Sequence, residues 1–248
     1  MSAQGNAGAG AEGAAGTGMV IAIDGPSGSG KSSTSKGVAA ARGFEYLDTG
    51  AMYRAMTWWM MHHRVDVSDA EAVAAAASRP DITMGTDPSA PTVQVDGADV
   101  AQAIRTQEVT SSVSAVSAVP AVRERLVAMQ RDTIARARRE SGGIVVEGRD
   151  ITTVVAPDAA VKIYLTASAE ARAERRSKEV RTDDVEATRR ALALRDRLDS
   201  SRESSPLTQT EDALELETSG LGLQEVIDIV VGLADEAEQG AQAQAAAQ

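Results

Sequence analysis

The chain has 248 residues and 43% of them are hydrophobic, which is enough for one α/β domain of ordinary size with a substantial core. It contains no cysteine, which excludes disulfides, thiolate zinc sites and cysteine nucleophiles. The formal net charge is −11, but ten acidic residues and no Lys or Arg lie from Glu203 to Gln248, so the rest of the chain is nearly neutral. Because no basic stripe is interleaved with aromatic residues, nucleic acid is not an expected partner.

Low-complexity segments flank the predicted domain. Residues 1–18 are almost entirely Gly, Ala and small polar residues, without the basic and apolar regions of a signal peptide, and they predict a disordered tail. Residues 239–248 predict a second disordered tail, which leaves one domain over residues 19–238. No apolar run approaches the roughly 20 residues of a membrane span, so we expect a soluble, cytoplasmic protein with no membrane partner. We also expect a monomer.

A glycine-rich loop follows the first apolar run, residues 19–23, which predicts a buried strand. Residues 25–32 fit the pattern G-x-x-x-x-G-K-[ST], and residues 33–42 predict a helix. Glycines let consecutive backbone N–H groups point at phosphate oxygens, and the helix adds the positive end of its dipole. Lys31 is expected to reach the β- and γ-phosphates, and Ser32 to bind Mg²⁺. The predicted ATP-binding residues are Gly25, Pro26, Ser27, Gly28, Ser29, Gly30, Lys31, Ser32 and Ser33.

Strand-like runs alternate with helix candidates along the rest of the chain. The apolar runs are residues 19–23, 44–47, 144–146, 161–165 and 213–216. The helix candidates are residues 31–42, 51–64, a pair across 105–140, 168–197 and 222–238. This order predicts a P-loop NTPase-type α/β fold of three layers, with a central parallel sheet that has helices on both faces and binds ligands at the carboxyl ends of its strands.

Two segments break the alternation. Residues 80–104 hold three prolines and an Asp-Gly pair between valines, which predicts a small antiparallel insert with a hairpin turn. Residues 172–205 are dense in charge, and Arg195, Asp199 and Arg202 share one face if a helix continues through them. This second stretch is either a solvated helix face or a helical lid that closes on phosphates.

Two further motifs follow predicted strands. Thr49 and the N–H groups after Asp48 predict an anion site, with an ordinary helix N-cap as the alternative. Arg149 follows an apolar run, and it either points into the ligand crevice or forms a local pair in an ordinary turn. The carboxylates that end predicted strands are Asp24, Asp48 and Glu147. The sequence leaves open which of the three supports the metal.

Five motifs occur in a fixed order along the chain, at residues 23–32, 47–54, 104–109, 147–155 and from 195–197 to 205–207. In these motifs the chain resembles the bacterial cytidylate kinases of the nucleoside-monophosphate kinase family, over roughly residues 19–238. The insert at 80–104 resembles the segment that sets this family apart from adenylate and guanylate kinases. The resemblance implies ATP-dependent phosphorylation of CMP and dCMP to CDP and dCDP in pyrimidine nucleotide metabolism, with Mg²⁺ as cofactor.

The resemblance also implies a role for each matching position. The implied acceptor site consists of Thr49, Gly50, Tyr53, Arg54, Ser114, Arg123, Arg149, Asp150, Arg195, Asp199 and Arg202. Within it, Ser114, Arg123 and Asp150 would face the cytosine ring, and Arg195 and Asp199 would lie near the ribose. The implied catalytic residues are Lys31, Arg149, Arg195 and Arg202. The chain departs from the commonest form of the family in having Thr49 where Ser is frequent and Ser32-Ser33 where Gly-Thr is frequent.

The implied chemistry needs no general base, because a phosphate acceptor with a second pKa of about 6 is largely ionised at neutral pH. The acceptor would attack the γ-phosphoryl group in line while Lys31, Mg²⁺ and the lid arginines neutralise its oxygens. Without the resemblance, motif spacing predicts only a P-loop phosphotransferase. Two alternatives therefore stand: a P-loop kinase for another small acceptor, and a nucleotide-binding switch or ATPase module, although the chain has no Asn-Lys-x-Asp guanine motif.

Overall fold

A computed structural model of the chain describes residues 18–180, 182–202 and 205–247. Its central sheet consists of β1 (Met19–Asp24), β2 (Glu45–Asp48), β6 (Gly143–Gly148), β7 (Val161–Thr166) and β8 (Leu214–Glu217). The strands are all parallel and lie in the order β2-β6-β1-β7-β8. All five predicted apolar runs are therefore confirmed as strands. The tail predicted at residues 1–18 lies, except for Gly18, outside the described residues.

Helices cover both faces of this sheet. They are α1 (Lys31–Arg42), α2 (Thr49–His62), α3 (Ala70–Ala76), α4 (Gln107–Ala118), α5 (Pro120–Glu140), α6 (Ala169–Val180), α7 (Val185–Ser200) and α8 (Leu223–Ala246). The buried residues of α1 and α8 share one core, whereas those of α2, α4 and α5 share the other. Among the described residues, no helix has the length and apolar character needed to cross a membrane.

Alternating side chains of the buried strands pack into these two separate cores. In β1, Val20 and Ala22 pack on one side of the sheet, and Ile21 and Ile23 on the other. Successive residues of a strand point to opposite faces, so a strand that is covered on both faces is apolar throughout. This explains why the run before the glycine-rich loop contains no polar residue until Asp24. The predicted three-layer fold is confirmed.

Residues 82–99 form the small insert predicted from the sequence. Its strands β3 (Ile82–Met84), β4 (Val93–Val95) and β5 (Ala98–Asp99) pair in an antiparallel sheet. Asp96 and Gly97 adopt φ angles of 51° and 79°, the left-handed conformations of a two-residue hairpin turn. The indole N–H of Trp59 donates a 2.6 Å hydrogen bond to Asp96 Oδ2, which ties this turn to α2.

The helices differ from the sequence predictions in three places. The candidate at residues 168–197 is two helices, because the Asp184 carboxylate accepts a hydrogen bond from the N–H three residues later and so caps α7. α3 was not predicted, and it begins after Asp69, which caps it in the same way. α8 continues to Ala246, so the tail predicted at residues 239–248 is helical as far as that residue. The Ala and Gln residues of this segment are good helix formers.

Candidate active site

A cavity of about 560 Å³ opens at the carboxyl ends of β1, β2 and β6. The loop between β1 and α1, the start of α2, the loop after β6, and parts of α4, α6 and α7 contribute to its lining. The cationic side chains of the lining are Lys31, Lys36, Arg54, Arg105, Arg123, Arg149, Arg175, Arg176, Arg195 and Arg202. The carboxylates are Asp48, Glu147, Asp150, Glu179 and Asp199. Because the cations outnumber the carboxylates, the cavity favours anions although the whole chain is acidic.

The loop between β1 and α1 has the geometry of a phosphate cradle. Gly28 and Gly30 adopt φ angles of 80° and 92°, which residues with a side chain rarely adopt. α1 begins at Lys31, so its first N–H groups and the positive end of its dipole lie at the cavity. Lys31 Nζ donates a 2.7 Å hydrogen bond to the Pro26 carbonyl. Burial lowers the pKa of Lys31 to about 7, and the nearby Arg149 adds to this effect.

Asp24, at the end of β1, supports the fold rather than the cavity. It is fully buried, and its carboxylate accepts hydrogen bonds from the N–H groups of Ile151 at 3.0 Å and Thr152 at 2.8 Å. The Thr152 hydroxyl donates a third bond at 2.8 Å. Burial raises the pKa of Asp24, and these hydrogen bonds act in the opposite direction. Asp24 thus fixes the π-helical turn Ile151–Val155, which follows the motif that carries Arg149.

We expect Asp24→Ala to lower the free energy of unfolding by about 3–5 kcal/mol, because it leaves two N–H groups and a hydroxyl unpaired in the protein interior. Unfolding in denaturant, followed by circular dichroism, measures this change. Asp132→Ala, at an exposed position, is the matched control and should stay within about 0.5 kcal/mol of the wild type. Equal stability of the two variants would contradict the structural role of Asp24.

Asp48 caps α2, the helix that begins at the predicted anion site of Thr49. Its Oδ1 accepts the N–H of Ala51 at 2.8 Å, and its Oδ2 pairs with Arg54 at 3.0 Å. Burial alone would raise the pKa of Asp48, but Arg54 and the Ala51 N–H hold it below its usual value. The neighbouring Thr49 hydroxyl donates to the Glu147 carbonyl at 2.7 Å. The motif therefore contains the N-cap that was one of its two interpretations, and it also lines the anion-binding cavity.

Glu147, at the end of β6, is the strand-ending carboxylate that faces the phosphate loop. Its Oε1 accepts a hydrogen bond from the Tyr46 hydroxyl, and its side chain is buried at the cavity. Burial and then Asp48 raise the pKa of Glu147, whereas Lys31 and Ser32 act to lower it. Asp24 and Asp48 bind backbone N–H groups, so Glu147 is the carboxylate that is placed to support a metal beside Ser32.

Arg123 and Asp150 form a buried ion pair in the cavity wall. Each side chain is 5% exposed. Arg123 Nη1 also donates to the Ser117 carbonyl at 3.2 Å, and the guanidinium lies 5.4 Å from the ring centroid of Tyr53. Buried charges persist when they are paired and hydrogen-bonded in this way. The wall thus presents a carboxylate and a guanidinium side by side, which suits recognition of a polar ring edge.

Asp199 lies among three arginines of the cavity, Arg149, Arg195 and Arg202. Arg149 Nε donates to Asp199 Oδ2 at 3.0 Å, and Arg202 Nε donates to the Asp199 carbonyl at 3.2 Å. Arg195 Nε lies 4.0 Å from the same Oδ2, which is too far for a hydrogen bond. Burial lowers the pKa of Arg195 to about 10, followed in size by the effect of Arg149. All three arginines line the cavity, and two of them, Arg195 and Arg202, belong to residues 172–205, which supports the lid interpretation of that segment over a solvated face.

Several buried donors around the cavity have no hydrogen-bond partner among the described residues. They are the Ser29 hydroxyl, Arg54 Nε, Arg195 Nε and Arg202 Nη2. Buried donors are nearly always paired in native proteins. Ser29 belongs to the predicted ATP site and the three arginines to the predicted acceptor site, so bound phosphates would supply the acceptors that these donors lack.

Most of the residues predicted for the site line this cavity. The predicted residues that do not are Gly25, Pro26 and Ser114. Gly25 has a φ angle of 147°, and the Leu165 carbonyl occupies the place of a Cβ, so only glycine allows the loop to pass this strand. The Pro26 carbonyl accepts the hydrogen bond of Lys31 Nζ.

Ser114 is the third of these residues, and its contact with the cytosine ring stays a prediction. On α4 the side chains that line the cavity are Thr110, Val113 and Ser117, which share one face at helical spacing. Ser114 lies four residues after Thr110 and three before Ser117, so it is on the same side of α4 as these two residues, next to the lining. Arg123 Nη1 donates a hydrogen bond to the Ser117 carbonyl at 3.2 Å. Arg202 Nη1 donates to the Ser117 hydroxyl at 3.3 Å.

One wall of the cavity was missed by the sequence reasoning. It consists of Arg175, Thr218, Leu221, Leu223 and Val226. Arg175 Nη2 donates to the Thr218 carbonyl at 2.6 Å, and Leu223 is 51% exposed although it is apolar. An exposed leucine at the start of the helix after the last parallel strand is a signal that could have revealed this wall.

Comparison with known proteins agrees with this site. The sequence model of the cytidylate kinase family matches residues 21–236. A cytidylate kinase of Streptomyces avermitilis is 61% identical over 218 residues, which cover 88% of this chain and 93% of that protein. A cytidylate kinase of Streptomyces griseus is 60% identical over 217 residues, covering 88% and 93%.

Among solved structures, an uncharacterized protein from Eubacterium ventriosum is similar in fold alone. Its TM-score is 0.51 at 11% identity, over 88% of this chain and 98% of that one. The family assignment therefore rests on the sequence matches, which span nearly the whole predicted domain and agree with the five motifs and the cavity that they line. The chain belongs to the cytidylate kinase family.

Proposed function

We propose that the protein transfers the γ-phosphoryl group of ATP to CMP or dCMP, giving ADP with CDP or dCDP. It is thus a phosphotransferase with a phosphate group as acceptor. The observation that carries this proposal is the meeting, in one cavity, of the phosphate loop, a set of unpaired arginine donors and the buried Arg123–Asp150 pair. The first feature suits a nucleoside triphosphate, the second a phosphate acceptor and the third a base with a polar edge.

The donor nucleotide would bind between the phosphate loop and the wall formed by α6 and the start of α8. N–H groups of the loop and Lys31 would hold the β- and γ-phosphates. Leu221, Leu223 and Val226 offer apolar surface to the adenine, and the planar guanidinium of Arg175 lies in the same wall. This arrangement leaves the γ-phosphoryl group directed at the acceptor side of the cavity.

The acceptor would be held at three places. Its phosphate would accept hydrogen bonds from the residues Thr49, Gly50, Tyr53, Arg54, Arg149 and Arg202. Asp150 would accept from the amino group of cytosine, and uracil presents an oxygen there that a carboxylate repels. Ser117 lies beside this pair, whereas Arg195 and Asp199 lie on the lid side, where the ribose would be.

Transfer needs positioning and charge neutralisation rather than a base. The acceptor phosphate is already ionised near neutral pH, because its second pKa is about 6. Lys31, Arg149, Arg195 and Arg202 would stabilise the charge on the oxygens of the transferring group. A closed lid excludes water, which limits hydrolysis of ATP.

The chain offers two oxygen ligands that fit Mg²⁺ in this cavity, the Ser32 hydroxyl and the Glu147 carboxylate. Mg²⁺ in such enzymes is bound by one or two protein groups together with phosphates and water, and this small oxygen set agrees with that pattern. Bound Mg²⁺ would neutralise charge on the β- and γ-phosphates. Glu147 would also hold the Tyr46 hydroxyl in place through their hydrogen bond, and its charge would attract the Lys31 ammonium.

We expect EDTA to abolish phosphoryl transfer and excess Mg²⁺ to restore it. We expect Glu147→Gln to raise the Mg²⁺ concentration for half-maximal rate by about tenfold or more, because the charge that supports the metal is lost. A titration of the initial rate with Mg²⁺ at saturating substrates measures this. Glu140→Gln, which removes an exposed carboxylate far along α5, is the control and should titrate as the wild type does. Identical titrations for both variants would remove Glu147 from the metal site.

We propose that the protein acts as a monomer, because the residues of one chain contain every side chain that the proposed transfer uses. We propose that this monomer works in the cytoplasm, where ATP and nucleoside monophosphates are available to a chain that has no cysteines to oxidise. Sedimentation at micromolar concentration measures the state of association.

The function is tested by ADP release from Mg-ATP with CMP, dCMP, UMP, AMP or no acceptor. We expect high rates with CMP and dCMP, much lower rates with UMP and AMP, and almost none without acceptor. A rate that is independent of the acceptor would favour an ATPase or a nucleotide switch. A high rate with another acceptor only would leave the phosphate loop in place and overturn the assignment of the acceptor site.

A further inference from the structure

The lid contacts the phosphate loop at a second place, through two side chains that lie outside the cavity lining. Arg172 of α6 and Asp196 of α7 form an ion pair there. Arg172 Nη1 donates to the Ser27 carbonyl at 3.2 Å, and the Ser27 N–H donates to Asp196 Oδ1 at 3.4 Å. The backbone N–H and the carbonyl of Ser27 are thus both held by the two helices of the lid. We call Ser27, Arg172 and Asp196 the loop clamp.

The close approach of α6 to the loop depends on a glycine. Gly28 has a φ angle of 80°, and a Cβ at this position would lie 2.8 Å from the Arg172 carbonyl oxygen. The next arginine along this helix, Arg175, donates to the Ser29 carbonyl at 3.5 Å and to Thr218. The start of α6 is therefore packed against the loop, and the loop clamp extends this contact to α7.

The side chains of the lid differ in where they point. Arg195 lines the cavity, but Asp196 and Arg172 do not. Arg195 Nε has no hydrogen-bond partner among the described residues, and its guanidinium lies near that of Arg149, which repels it. The position of the Arg195 guanidinium therefore depends on the position of the α7 backbone. Asp196 is the next residue of that backbone.

We propose that Asp196 is a positioning residue that fixes α7 to the phosphate loop through Arg172 and the Ser27 N–H, and thereby holds Arg195 at the γ-phosphoryl group. This inference rests on the proposed function and adds to it the group that aligns the lid arginine. When the clamp is formed, Arg195 is directed into the cavity. When the clamp is lost, α7 still forms, but the guanidinium is no longer held at one place.

A double-mutant cycle tests the clamp in the wild-type and Arg195→Ala backgrounds. We expect Asp196→Ala to lower kcat by about 10- to 100-fold in the wild-type background, because displacing a reacting group by about 1 Å has an effect of this size. In the Arg195→Ala background the same change should lower kcat less than about twofold, since no guanidinium remains to be positioned. The KM for CMP should change little in either background.

The conservative variant and the controls separate positioning from folding. Asp196→Asn keeps an oxygen for the Ser27 N–H and should recover most of the lost rate. Arg172→Gln removes the other side of the ion pair and should show the same dependence on Arg195, which keeps the test available if Asp196→Ala does not fold. Glu186→Ala removes an exposed carboxylate from the same helix and should leave kcat unchanged.

Each outcome of this experiment decides the proposal. Equal fold-losses in the two backgrounds would mean that Asp196 acts independently of Arg195, and an unchanged kcat in the wild-type background would mean that the clamp has no role; either result overturns the inference. A wild-type enzyme without CMP-dependent ADP release would instead overturn the proposed function, and the two failures are therefore distinguishable.

Discussion

Replacing Lys31 by Met is expected to lower kcat by about 10²- to 10³-fold, the largest effect of any single substitution considered for this protein. Lys31 is the cation at the start of α1, inside the phosphate loop, where it would neutralise charge on the phosphoryl group in transit. Methionine keeps the length and the apolar stem of the side chain but removes the charge. The initial rate at saturating ATP and CMP measures the change.

The fold should survive this substitution. Burial disfavours the Lys31 ammonium, which lowers its pKa to about 7, so an uncharged side chain of the same length fits this position. Lys162→Met is the matched control, because Lys162 pairs with Asp212 away from the cavity, and we expect its kcat to equal that of the wild type. If Lys31→Met and Lys162→Met had equal rates, the phosphate loop would not be the site of the chemistry.

Replacing Asp150 by Asn is expected to lower the preference for CMP over UMP by about 10- to 100-fold in kcat/KM, because a polar contact left unpaired costs about 1–3 kcal/mol. The amide can accept from cytosine or donate to uracil, whereas the carboxylate can only accept. The ratio of kcat/KM for the two acceptors measures the effect, and the KM for ATP should change much less.

The structure also determines which variant is informative at this position. Asp150→Ala would leave the buried Arg123 guanidinium without its partner, which destabilises a protein by about 3–5 kcal/mol and would mix a folding defect with a loss of selectivity. Asp158→Asn, at an exposed carboxylate that pairs with Arg138, is the control and should keep the wild-type ratio. An unchanged ratio for Asp150→Asn would exclude Asp150 from base recognition.

The sheet and the phosphate loop could be predicted because their signals are local. A parallel strand covered on both faces must be apolar throughout, and β1 and β6 meet this condition over consecutive residues. The loop requires glycines at defined places, because Gly28 and Gly30 adopt left-handed conformations. Each of these features depends on neighbouring residues and can therefore be read from a short stretch of chain.

The contacts that a site makes across the fold could not be predicted in this way. Asp24, Asp48 and Glu147 look alike in the sequence, and only their partners show that the first holds a turn, the second caps a helix and the third faces the loop. Ser114 and Ser117 are neighbours on one side of α4, and only the packing of that helix shows that Ser117 lines the cavity. The loop clamp joins Ser27 to Asp196, which are 169 positions apart in the sequence.

The single predicted helix at residues 168–197 shows a third limit. Its charged residues are compatible with one long helix or with two, and the break is set by Asp184, a side chain that can cap a helix or lie within one. This break turns α7 back toward α6, so that Arg172 and Asp196 meet over the loop. The geometry of the lid thus depends on a cap that the pattern of charges does not reveal.

The most direct measurement of the central claim is the identification of the products. The protein is incubated with Mg-ATP and CMP, and the nucleotides are separated and quantified over time. We expect CDP and ADP to form in equal amounts, with no inorganic phosphate beyond the enzyme-free control. Formation of ADP and inorganic phosphate without CDP would contradict phosphoryl transfer to CMP in this cavity.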